Sequence, residues 1–183
     1  DASRLALEVR EARTLFESSG WLEKPESYHR EPPPLATPAL RWRKSLGFSF
    51  EHLSFESGYE PHAGEPGRER WRSHPPHREA HAWVLRHADR PRPWLVCIHG
   101  YGMGIPAVDL SAFEARRLHF ELGLNVLCPV LPLHGPRKLS LRSGDGFLNG
   151  DFLDTVHAEA QAMWDLRRVL SWLRADGATQ LGV

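Results

Sequence analysis

The chain has little sulfur, little lysine and no net charge. Of its 183 residues two are cysteine and two methionine, and 23 basic residues are matched by 23 acidic ones. A neutral chain sets up no field that would draw it to nucleic acid or to an anionic membrane. No apolar run approaches the roughly 20 residues that a membrane span requires. The chain begins with Asp1 rather than Met and shows no signal-peptide pattern, so the true start of the protein is expected to lie upstream. Cys97 and Cys128 each sit inside an apolar run. They read as reduced, buried thiols, which places the protein in the cytoplasm.

What is present is ordinary for a soluble domain: 41% hydrophobic and 25% charged residues, enough for a sizeable core. Leu5, Val9, Ala12 and Phe16 form one apolar stripe, which predicts a helix over residues 1–19 with Gly20 as its stop. The Pro-rich passage at 31–38 (EPPPLATP) excludes regular helix and central strand. Residues 47–55 alternate as a strand, residues 58–76 read as a loop, and residues 80–87 as a second strand, followed by a turn at 88–93.

Beyond the turn the pattern becomes regular. WLVCI at 94–98 and VLCPVL at 126–131 are continuous apolar runs, as in strands of a parallel sheet covered on both faces, with Pro129 marking a bulge or strand end. Ser111 and Glu114 fit a capping box, which predicts a helix from there to Gly123. A loop at 132–149 leads to Asp151, the cap of the longest helix. The stripe of that helix is Leu153, Val156, Ala160, Met163, Leu166, Leu170 and Leu173, and Gly177 ends it. Residues 180–183 begin a further strand. The alternation of strands and helices predicts a mostly parallel α/β sheet, with residues 94–98 between 126–131 and 180–183.

The informative motif is His99-Gly100-Tyr101-Gly102-Met103-Gly104, just past the carboxyl end of a buried strand. Its glycines let the backbone turn sharply and leave N–H groups uncovered. Two such groups aimed at one point hold the oxygen of a tetrahedral acyl intermediate. An apolar strand ending in HGxG, then helix, strand, long helix and a strand reading LGV, is similar to the α/β-hydrolase family over residues 80–183. The resemblance implies a partial hydrolase domain at 47–183 behind a helical and Pro-rich extension at 1–46. It implies the oxyanion donor at Tyr101 or the neighbouring Gly102, with His99 structural beneath the loop. The activity implied is serine-type acyl hydrolysis of a small-molecule or lipid-like ester, thioester or amide, as in an esterase, lipase or peptidase-like enzyme, with no cofactor and no metal.

The family's nucleophile stands in a G-x-S-x-G elbow after the next strand. No serine of this chain has glycines two residues to either side. The serine, acid and histidine are therefore expected C-terminal to Val183, and this fragment alone is expected to be inactive. Two rivals remain open. One is a non-catalytic interaction protein of the same fold. The other is a nucleotide-binding α/β domain, although no G-x-G-x-x-G opens a helix here. Elsewhere, His74, His77 and His81 read as a solvated loop rather than a metal site. Asp151 and Asp154 read as helix-capping residues, residues 134–137 (HGPR) as the start of a lid, pocket wall or connector, and Arg167 and Arg168 as solvent-facing or paired with Asp165.

Overall fold

The computed structural model describes residues 2–89 and 91–183. Asp1 and Arg90, the latter within the turn expected at 88–93, lie outside the described residues. Six strands form one sheet: β1 (Ala39–Ser45), β2 (Phe48–Glu56), β3 (Glu79–Leu85), β4 (Trp94–Val96), β5 (Asn125–Val130) and β6 (Leu181–Gly182), in the order β1-β2-β3-β5-β4-β6. Among the described residues four α-helices accompany them: α1 (Ala2–Ser18), α2 (Arg68–Arg72), α3 (Pro106–Ala112) and α4 (Phe152–Ala175). No helix among the described residues is long and apolar enough to cross a membrane.

The sheet is mixed, which corrects the expectation of a mostly parallel one. β1, β2, β3 and β5 pair antiparallel in succession, and only β4 pairs parallel, with β5 on one side and β6 on the other. For the β1–β2 pair connection length is the reason. Leu46 and Gly47, both at positive φ, close a two-residue hairpin between β1 and β2, and such a turn joins only antiparallel strands. Parallel pairs need a helical crossover, and α3 and α4 supply those around β4. Residues 94–98 accordingly run between the strands at 126–131 and 180–183, as the apolar runs imply.

The core lies on both faces of the sheet. On one, Val84, Trp94, Val96 and Leu127 pack against Val169, Trp172 and Leu173 of α4. On the other, Trp83, Cys97, Val126 and Cys128 pack against Leu110 of α3. The helix expected to start at Ser111 begins earlier. Pro106 takes the first helical position, where its missing N–H costs nothing, and helix α3 is over by Ala112. Glu114 then adopts φ 49°, and a π-helical turn (Arg117–Glu121) carries the chain to Gly123.

Helix α4 starts as read, with the Asp151 carboxylate accepting from Leu153 N–H at 3.0 Å. Its buried face differs from the apolar stripe. His157, Gln161 and Asp165 are buried, whereas Met163 is exposed. Helix α1 buries no residue and is held by ions: Arg4 pairs with Glu8 and Asp151, and Arg70 of α2 pairs with Glu8, Asp151 and Asp154.

Candidate active site

β2, β4 and β5 all end at the same edge of the sheet, and the motif at residues 99–104 leaves β4 there. Met103 N–H donates to Gly100 C=O at 3.3 Å, closing a four-residue turn with Tyr101 and Gly102 at its centre. Gly102 has φ 77°, the positive value that the third position of a type II turn demands and that glycine adopts freely. The two central amides of such a turn point outward by construction. Among the described residues neither the Tyr101 nor the Gly102 N–H has a hydrogen-bond partner. The Tyr101 side chain is half exposed and its hydroxyl stands 3.4 Å from Asp145.

Around these amides the loop is pinned. His99 is buried, and its Nε2 accepts from Leu131 N–H at 3.1 Å. That bond puts the ring proton on Nδ1, which lies 2.9 Å from Gly100 C=O and donates to it. Burial pushes the His99 pKa down, so the ring stays neutral and can hold both bonds. At the far end Gly104 N–H donates to the Asp109 carboxylate at 2.8 Å. Asp109 is fully buried and takes a second bond, from the Trp83 indole N–H at 2.9 Å.

The long loop at 132–149 packs directly onto this turn. Gly135 has φ 50°, and a Cβ there would fall 2.0 Å from Gly104 C=O. Gly144 has φ 85°, and a Cβ there would come within 2.8 Å of both Gly102 N and His134 Nε2. Backbone therefore meets backbone, and side chains at either position would push the loops apart. His134 is buried; its Nδ1 donates to Pro132 C=O at 2.9 Å, and burial holds its pKa down.

The other candidates are placed as follows. His81 faces His52 at 3.1 Å, while His77 stacks on Trp71 with ring centroids 4.2 Å apart. These contacts draw His77 and His81 to different neighbours. Asp151 and Asp154 face Arg70 and hold α1 and α2 together. Arg137, from the HGPR segment, is fully buried and pairs with Asp165 at 2.9 Å, and it also donates to Val130 and His77 carbonyls. Of the two alternatives for Arg167 and Arg168, pairing with Asp165 is not seen. They donate to carbonyls of His29, Pro33, Glu56 and Ser57. Asp109 and Ser143, both of which bind the turn, escape the sequence reading. An acidic residue inside the apolar stretch IPAVDL was the signal for Asp109; Ser143 gave none.

No protein-family model matches the chain. The fold is an α/β sheet covered by helices on both faces, with the glycine turn at its carboxyl edge. An uncharacterized protein of Mycobacterium tuberculosis, in each of two strains, is 48% identical over 172 residues, covering 94% of this chain and 41% of the relative. The chain thus spans about two fifths of the length of the curated relatives it matches. Among solved structures, a candidate acetyl xylan esterase from Bacteroides fragilis superposes with a TM-score of 0.55 at 15% identity, over 87% of this chain and 43% of that one. Acetyl Xylan Esterase 1 from a Thermoanaerobacterium species aligns at a TM-score of 0.36 and 15% identity, over 81% of this chain and 49% of that one, too loosely to carry a conclusion. The first likeness shows a shared fold.

Proposed function

We propose that this chain carries the oxyanion half of a serine-type α/β-hydrolase acting on an ester, thioester or amide. In that reading residues 47–183 belong to the hydrolase domain, and residues 1–46 form an extension whose last strand, β1, adds to the edge of its sheet. The observation that supports it is the turn at 100–103: two free amides, on a backbone pinned at both ends, at the carboxyl edge of the sheet.

The chemistry follows from that geometry. A serine supplied by sequence outside these residues, its proton passing to a histidine also outside them, attacks the acyl carbon; the C=O π pair moves to the oxygen, which gains a full negative charge. An N–H group already aimed at that oxygen, in a loop that need not reorganise, lowers the barrier more than it stabilises the neutral substrate. Tyr101 N–H is the first donor of this kind and Gly102 N–H the alternative.

The test uses the complete gene product. It should be labelled by a serine-directed fluorophosphonate and hydrolyse p-nitrophenyl acetate, and alanine at the labelled serine should abolish both. Residues 1–183 alone should do neither. A complete product that neither labels nor turns over overturns the hydrolase reading and favours a non-catalytic interaction protein of this fold.

A further inference from the structure

The turn at 100–103 has three polar anchors on its backbone, and they differ in origin. His99 belongs to the motif itself and holds Gly100 C=O; Asp109 belongs to α3 and holds Gly104 N–H. The third comes from the long loop. Ser143 Oγ donates to Met103 C=O and accepts from Gly135 N–H at 2.8 Å. The hydroxyl has one proton, and the turn takes it. The amide of Gly135 fixes where the oxygen sits, so the direction of the donated bond is fixed as well.

We propose that Ser143 is a positioning residue for the oxyanion turn; this role rests on the acyl-hydrolase reading. Met103 C=O belongs to the Met103–Gly104 peptide, two peptides beyond the Gly102 amide and next to the Met103 N–H that closes the turn. If the Ser143 hydroxyl is removed, that carbonyl and Gly135 N–H both lose their partner, and the Met103–Gly104 peptide, then held only through Gly104 N–H on Asp109, can pivot about that one bond. Tilting it rotates the Tyr101 and Gly102 amides away from the oxyanion position. A donor is effective only within about 2.7–3.1 Å of that position. The glycine contacts on either side serve the same end. Gly135 and Gly144 let the long loop approach closely enough for a short serine side chain to reach the turn. Because the oxyanion exists only along the reaction path, the loss falls on turnover and not on substrate binding.

The experiment compares wild type, Ser143→Ala and Ser143→Thr in the complete gene product. With p-nitrophenyl acetate, Ser143→Ala should lower kcat about tenfold, less than the loss of a whole oxyanion donor, while KM stays within about twofold. Inhibition by phenylboronic acid, which becomes tetrahedral on the serine, should weaken by the same factor. Ser143→Thr keeps the hydroxyl and should restore both. Hydrogen exchange of the peptide spanning residues 99–104 should quicken in Ser143→Ala alone, a readout that needs no turnover. A wild type that hydrolyses the ester beside a Ser143→Ala variant with unchanged kcat and exchange overturns the positioning role and leaves the hydrolase reading standing. A rise in KM alone overturns it too. An inactive wild type sinks the hydrolase reading first, and unchanged exchange at 99–104 then removes the Ser143 anchor as well. If Ser143→Ala does not fold, an active Ser143→Thr with wild-type exchange supports the role, and a folded but slow Ser143→Thr counts against it.

Discussion

The two halves of helix α4 rest on the same sheet and are held by different physics. Toward its C-terminus Val169, Trp172 and Leu173 pack among aliphatic and aromatic side chains, with Trp172 edge-on to Trp94 at 6.2 Å. From its N-terminus to its middle the buried face mixes Leu153, Ala158 and Ala160 with the polar His157, Gln161 and Asp165. Asp165 pairs with Arg137 and accepts from Ser57 at 2.6 Å; Gln161 donates to Ser57 and to His77 C=O and accepts from the Trp71 indole. The difference follows what each half touches. The apolar half meets strands, whose own ladders satisfy their backbone. The polar half meets the segments at 57–78 and 132–150, which approach the candidate site as turns and leave carbonyls that need donors. Apolar burial tolerates small displacements, whereas a network of directional bonds fixes those segments in one arrangement.

The largest effect should come from breaking the polar half. Asp165→Ala leaves Arg137 charged, fully buried and without its partner, and should cost about 3–5 kcal/mol in urea denaturation. Replacing both members, Arg137→Met with Asp165→Leu, should recover much of that loss, because two apolar groups need no compensation. A double variant as unstable as the single one would show that the loops, not the charge, depend on this pair. In the apolar half, Leu173→Ala removes a fully buried side chain and should cost about 2–4 kcal/mol by cavity formation, with little dependence on pH.

Acid should separate the halves further, by a smaller step. Burial lowers the pKa of His77 to about 3 and that of His81 to about 4, against about 6.5 in an unfolded chain. Above pH 6.5 both are neutral in either state, and their contribution to stability is complete. As pH falls below 6.5 the unfolded chain takes up protons that the folded one refuses. Stability is then lost at up to about 1.4 kcal/mol per pH unit for each ring, until the folded values are reached. Melting temperature should therefore fall between pH 6.5 and 4, and His77→Gln should flatten that slope. A melting temperature independent of pH over this range would show that the histidines do not govern acid sensitivity.

The parts of the fold that the sequence displayed are those set by local pattern. The runs at 94–98 and 126–131 hold β4 and β5 because short apolar runs suit strands covered on both faces, and Asp151 caps α4 because its carboxylate meets a free amide two residues on. The glycine motif at 99–104 was legible for the same reason, since a turn of that shape has to be written in glycine. Where local signals compete the reading fails. Ser111 and Glu114 have the spacing of a capping box, yet Pro106 had already begun the helix. β1 was missed because its residues, ALRWRKS, are largely polar and mostly exposed on a sheet edge. The pairing of Arg137 with Asp165 and the bond from Ser143 to Met103 link positions 28 and 40 residues apart, joined by the tertiary fold and by no periodicity.

The strand order has one more consequence, in the angle across the sheet. Neighbouring strands turn by about 20–25° each, so five steps from β1 to β6 accumulate to about 100–125°. The edge carrying Trp42 and the edge carrying Leu181 therefore open in nearly perpendicular directions. A strand added along Leu181–Gly182 would continue the sheet away from the β1–β2 hairpin, and no flat partner could lie along both edges at once.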